Sequence, residues 1–268
     1  MEGDYMKKII CFFLVVFLSV AIYSNFLNSK IEKEKNISLG NALKYLKEQR
    51  NEYTKIEDIP KELINATVSI EDKRFFYHLG FDPIAIGRSA YLNIKNKRIM
   101  GGGSTITQQL VKNMFLSQDQ SYIRKVNEII LSVIMEFKYS KEEILEMYLN
   151  EVYFGAGANG IGEAAKIYFN KEVKDLNLSE SSFLAGLPQA PSNYNPYNNL
   201  KLARKRQARV LESMVRNNHI TKEQMDEILN EKLTLTKISY KSSMNKEEKF
   251  VKSKLFFFIL NIRISLLI

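Results

Sequence analysis

The chain has 268 residues, 45% of them hydrophobic and 26% charged, which is enough to bury a real core and too apolar for a disordered tail. A single cysteine, Cys11, excludes an intramolecular disulfide framework and gives redox chemistry no support. The net charge of +9 favours a polyanionic partner, whether nucleic acid, anionic lipid or a phosphorylated substrate, without choosing among them.

Residues 1–8 carry Lys7 and Lys8 and lead into an uncharged run over residues 9–27. Its 19 residues suffice to cross a bilayer core of roughly 30 Å at about 1.5 Å per residue. The preceding lysines favour the cytoplasmic side, which sends the remainder of the chain to the outer face. Ser19-Val20-Ala21 offers a competing reading as a signal-peptide cleavage site, but the apolar run continues past Ala21, so a retained anchor is expected. Cys11 reads as a small apolar residue inside that helix. Residues 28–40 form a polar stalk, and helical patterning begins near Asn41.

Over residues 59–71, Pro60 suits a first helical turn, and Leu63, Ala66, Thr67 and Ile70 recur along one face, leaving Glu71 at the helix end. Asp82-Pro83 opens a helix to about Ile94. The run Gly101-Gly102-Gly103 is no helix interior, and Ser104 or Thr105 caps a helix from Ile106 whose first N–H groups suit an anion. Ser121 caps a long helix with Ile123, Val126, Ile130, Val133 and Phe137 on one face and Arg124, Lys125 and Glu128 on another. Ser140 and Glu143 make a capping box, and further helices are expected at residues 160–169, 180–187, 200–217 and 222–232, the last capped by Thr221. No strand series with hairpin signals occurs, so residues 41–235 should be almost all helix. Residues 236–268 are a basic then apolar tail. Its last 14 residues are too short to span a bilayer, and Lys246, Lys249, Lys252 and Lys254 before them suit either an interfacial segment or an idle tail.

Taken singly, the polar features are bland: a helix-end glutamate, a glycine turn, an ion pair on a helix surface. In their order they closely resemble the peptidoglycan glycosyltransferases of glycosyltransferase family 51. The matching stretches are Glu71-Asp72-Lys73-Arg74-Phe75-Phe76-Tyr77-His78-Leu79-Gly80, Gly102-Gly103-Ser104-Thr105-Ile106-Thr107-Gln108-Gln109 and Arg124-Lys125-Val126-Asn127-Glu128. Ile144-Leu145-Glu146-Met147-Tyr148-Leu149-Asn150 with Tyr153-Phe154-Gly155, and Leu187-Pro188-Gln189-Ala190-Pro191-Ser192, complete the set. The resemblance covers about residues 41–233.

It implies an all-α, lysozyme-like head with a smaller membrane-associated lobe, lipid II and the growing glycan strand as substrates, and direct inversion with departure of undecaprenyl diphosphate. A sugar hydroxyl needs its proton removed to attack, and the resemblance makes Glu71 that base. The leaving diphosphate needs positive charge, for which Lys112, Arg124 and Lys125 are available. Glu128 is open to three roles: orienting those cations, holding a divalent ion, or stabilising an oxocarbenium-like centre. No cofactor is obligatory. Asp72, Phe75, His78, Ser104, Thr105, Gln108 and Gln109 are the expected substrate contacts, Gln108 and Lys112 lying one helical turn apart. Capping is the plainer role for Ser104 and Thr105, and His78 suits a structural hydrogen bond better than catalysis. Many family members carry an arginine where this chain has Gln120, which puts one diphosphate contact in doubt.

Gly155-Ala156-Gly157-Ala158-Asn159-Gly160 formally matches a dinucleotide fingerprint, but a helix precedes it where a strand is needed. Ser243-Met244-Asn245-Lys246 matches a transpeptidase motif, yet 22 residues follow it without Lys-Thr-Gly, so a monofunctional enzyme is expected. A lytic glycan-cleaving enzyme would share the fold without needing the cations, and an inactive scaffold would lose Glu71 or Glu128. Outward topology argues against nucleic acid; the membrane and cell-wall synthesis proteins are the expected partners.

Overall fold

The computed structural model describes residues 2–35, 37–96, 102–117 and 121–236, without the side chains of residues 2–10, 12–14, 16, 17 and 20. Gly101, Gln120, the Ser243 to Lys246 motif and the apolar tail lie outside the described residues.

The first helix, α1, runs Glu2–Lys35, through the whole expected anchor and into the expected stalk. Its last turns are docked: Leu27 and Ile31 are buried, Tyr23 donates to Asn127 Oδ1 at 2.8 Å, and Lys35 donates to the carbonyls of Met114 and Leu116. Among the described residues no helix is long and apolar enough to cross a membrane.

From Ala42–Gln49 (α2) onward the described residues are mostly helical. Lys61–Glu71 (α3) buries Leu63, Ala66 and Thr67 along its predicted face, with Pro60 as N-cap. Leu178–Gly186 (α9) is buried from Ser179 to its end and packs against both α3 and Pro196–Arg216 (α10). Small residues make this possible: a Cβ on Gly186 would meet Arg206 Cγ at 3.0 Å, so α10 can lie close. Asn177 and Glu180 close a capping box that starts α9 two residues earlier than the spacing predicts. Likewise α10 begins at Pro196, with a break at Asn199 that the sequence pattern does not reveal.

A second group joins Ile106–Phe115 (α5) to Tyr122–Lys138 (α6) and Lys141–Glu151 (α7). The apolar stripe of α6 is turned outward rather than into the core: Ile123, Val126 and Phe137 are exposed while Glu128, Leu131, Ser132 and Met135 are buried. Pro83–Lys95 (α4) buries no residue and exposes Ile84, Tyr91, Leu92 and Ile94. Hydrophobic periodicity locates a helix but does not say which solvent its apolar face meets.

Among the described residues, strands occur after α7, where Tyr153–Gly155 (β1) and Ala158–Asn159 (β2) pair antiparallel. Positive φ at Gly155, Ala156 and Gly157 makes the hairpin turn, which accounts for the glycines of the formal dinucleotide match. Ile161–Phe169 (α8) and Lys222–Asn230 (α11) complete the described fold.

Candidate active site

Glu71 ends α3, and its carboxylate is held from both sides. Arg206 of α10 donates to Oε1 at 3.0 Å and Gln109 of α5 donates to Oε2 at 3.0 Å. The side chains of Glu71 and Arg206 are only 11% and 7% exposed, so this ion pair is largely desolvated. Arg206 is itself fixed by donating Nε–H to the Gly186 carbonyl at 3.0 Å and by the Tyr194 ring, whose centroid lies 5.9 Å away. Burial lowers its pKa, and the Glu71 charge opposes that effect. Behind Gln109, the Tyr148 hydroxyl donates to its Oε1 at 3.3 Å. Burial pushes the Tyr148 pKa well up, with the nearby Glu71 charge adding to it, which keeps the phenol a donor.

Arg206 is absent from the sequence-based expectations. Its signal was nonetheless present: it falls on the stripe formed by Ala203, Val210 and Met214, and an arginine at a core-facing helical position demands a buried partner.

Asp72, held by His78, supports the start of α5, and Phe75 packs edge-on to His78. Asp72 Oδ2 accepts from the Ile106 N–H at 3.1 Å and lies 2.9 Å from His78 Nε2. Phe75 is fully buried, with Lys141 Nζ 4.5 Å from its ring centroid. Gly80 has φ +86°, and a Cβ there would stand 2.6 Å from the Ser132 carbonyl, so only glycine lets this turn approach α6. The Gly80 carbonyl in turn accepts from Thr105 Oγ1 at 2.6 Å.

Thr105 and Gln108 close the capping box of α5, each accepting from the other's backbone N–H. Gln108 has no exposed surface and its Nε2 has no partner among the described residues, whereas Lys112 one turn later is exposed, so the two do not share a face toward one ligand. Ser104 remains outside the box and accepts from Lys125 Nζ at 3.0 Å.

Glu128, 3% exposed, accepts from Lys125 and stands 3.8 Å from Arg124 Nη1. Two of the expected diphosphate cations are thus paired to one buried carboxylate. The surroundings of Glu128 are cationic, and among the described residues no three His, Cys, Asp or Glu side chains gather into a metal-binding group.

Of the expected residues, Glu71, Asp72, Ser104 and Thr105 open on one cavity of about 460 Å³. Lys125 and Glu128 reach it through Ser104, while Phe75, His78, Gln108, Gln109, Lys112 and Arg124 stand outside its wall. Lys73, Arg88 and Arg216, none of them singled out from the sequence, line it as well.

The model of the family described as Transglycosylase matches residues 39–215, more than half of the chain. Penicillin-binding protein 1A of Neisseria gonorrhoeae is 46% identical over 194 residues, covering 72% of this chain and 24% of that one. Penicillin-binding protein 1A of Aquifex aeolicus is 44% identical over 189 residues, covering 70% and 26%. The chain therefore spans about a quarter of the length of these curated relatives. A crystal structure of penicillin-binding protein 1A from Haemophilus influenzae overlays 74% of this chain and 20% of its own, with 27% identity and a TM-score of 0.44.

Proposed function

Because this chain belongs to the transglycosylase family, we propose that it polymerises lipid II into β-1,4-linked glycan strands with inversion at the donor anomeric carbon and release of undecaprenyl diphosphate. The observation that carries this reading is the carboxylate of Glu71, fixed on a cavity wall between Arg206 and Gln109. In the reaction, the acceptor 4-hydroxyl gives its proton to Glu71 while its oxygen bonds to the donor C1, and the bond from C1 to the diphosphate oxygen breaks. Charge builds on the departing diphosphate, where Lys112, Arg124 and Lys125 supply positive charge. Glu128, already paired to Lys125 and near Arg124, orients those cations. Asp72, held by His78, keeps α5 in place with Phe75 packed against that histidine, and Ser104 stands at the cavity within reach of substrate.

The fold is read as a lysozyme-like head with a smaller membrane-facing lobe. The outward apolar residues of α4 and α6, with Tyr77 and Leu79 between α3 and α4, give that lobe a lipid-facing surface. Residues 9–27 anchor the chain in the cytoplasmic membrane with the catalytic part on the outer face, which confines enzyme and lipid substrate to two dimensions. Other wall-synthesis proteins are the natural partners. The test is direct: the purified chain in detergent, given lipid II, should yield a muramidase-sensitive polymer. Absence of polymer, or cleavage of preformed glycan instead, would overturn the reading.

A further inference from the structure

The cavity that holds Glu71 has an unbalanced lining. Each acid on its wall is already committed: Glu71 to Arg206 and Gln109, Asp72 to His78 and the Ile106 N–H, Asp82 to Arg74 and the Ala85 N–H. Its cations are not. Lys73 follows α3, Arg88 projects from α4 and Arg216 ends α10, and none of the three has an ion-pair partner among the described residues.

Exposed cations are commonly unpaired, and Arg216 also suits the negative end of the α10 dipole. Those explanations treat the three residues separately and leave their convergence unexplained. A cavity of about 460 Å³ is roughly 10 Å across if round, comparable to a Debye length at ordinary salt, so charges on its rim act on one another and on anything inside. Without a counter-charge they repel; an anion entering the cavity relieves that repulsion. The size also falls in the range of small-ligand sites, about 300–1,000 Å³.

We propose that Lys73, Arg88 and Arg216 form an anion-binding rim that takes a phosphate or carboxylate group of the saccharide substrate whose hydroxyl faces Glu71. This rests on the reading of Glu71 as the base. Two parts of such a substrate carry the required chemistry, the diphosphate and the carboxylates of the attached peptide. Either one would dock the sugar with its hydroxyl toward the carboxylate, and the rim would act on affinity rather than on the bond-making step.

The experiment uses the full chain with Lys73→Gln, Arg88→Gln and Arg216→Gln, singly and together, measured against lipid II across a salt series. The combined variant should raise KM about tenfold or more, with a smaller change in kcat, and flatten the dependence of KM on salt. Arg88→Lys should recover much of the single-variant loss. Because α4 buries no residue, Arg88→Gln folds even if the combined variant does not, and it should still show a raised KM with a shallower salt dependence. A second arm repeats the measurement on a lipid-linked disaccharide diphosphate lacking the peptide. Persistence of the KM effect assigns the diphosphate, and its loss assigns the peptide carboxylates. Unchanged KM and salt dependence in Arg88→Gln and in the folded combined variant would overturn the rim while polymerisation by the parent chain still stood. A parent chain that makes no polymer would instead remove the function on which the rim depends.

Discussion

Glu71 takes its cation from 135 residues away, through the Arg206 guanidinium at 3.0 Å, whereas Glu128 takes Arg124 and Lys125 from the helical turn immediately before it. The second arrangement is carried within α6 and is oriented wherever that helix goes. The first exists only when α3, α9 and α10 are packed, because Arg206 also bonds the Gly186 carbonyl at the end of α9. Orientation of the Glu71 carboxylate is therefore a tertiary property, and orientation of the Glu128 carboxylate a local one.

The largest expected effect breaks the first site directly. Glu71→Gln keeps size and an acceptor for Arg206 but cannot take a proton, so turnover should fall roughly 10²- to 10⁴-fold while lipid II affinity changes little. It also leaves the buried Arg206 without a counter-charge, so the measurement belongs at a temperature where a melting curve shows both proteins folded. Near-parental polymerisation would remove Glu71 as the base.

Arg206→Met tests whether the distant cation positions that base. Leaving one member of a buried pair unmatched typically costs about 3–5 kcal/mol of stability, and kcat should fall in the protein that remains folded. Arg206→Lys keeps the charge but cannot bond Glu71 and the Gly186 carbonyl as a planar fork, so it should recover part of kcat and less of the stability. A purely structural Arg206 would lower stability and leave the kcat of folded protein intact. By contrast, Glu128→Gln frees Lys125 and Arg124 from a carboxylate they share, so it should weaken lipid II binding together with turnover while lowering stability less than Arg206→Met. Equal loss of stability in the two variants would erase the contrast between a local and a tertiary pair.

The same contrast explains what the sequence revealed. Caps and short-range pairs were legible: Asp82, Ser121, Ser140 and Thr221 cap the helices expected of them, and the Glu128 cluster follows from three- and four-residue spacing. The convergence of Arg206, Arg88 and Arg216 around the Glu71 cavity was not, since α10 and α4 bring them there in three dimensions, and of the three only Arg206 left a signal, an arginine on a core-facing stripe. The outward turn of the α6 stripe was equally hidden, because periodicity fixes a face and burial depends on what covers it. Gln108 and Thr105 show the converse: their motif is legible, but Gln108 Oε1 and Thr105 Oγ1 are taken up by a helix cap.

The smallest expected effect concerns a third carboxylate that sits between these extremes. Asp82 caps α4 through the Ala85 N–H at 2.9 Å and pairs with Arg74, eight residues before it, at 2.8 and 2.9 Å. Burial alone would raise its pKa, but the Ala85 N–H and the Arg74 guanidinium outweigh burial and hold it below the ordinary carboxylate value. A depressed folded-state pKa gives stability that is present above the unfolded value of about 3.9 and is lost as pH falls through the folded value. Asp82→Asn retains an acceptor for the cap and loses the charge, so it should cost about 1 kcal/mol near neutral pH. As pH falls from the unfolded value of about 3.9 through the lower folded value, the parent protein protonates Asp82 and loses the same contribution, so the two denaturation midpoints should converge below the folded value. A gap between them that stays constant from neutral to acid pH would show that the Arg74 pair contributes nothing through charge, leaving Asp82 as a cap alone.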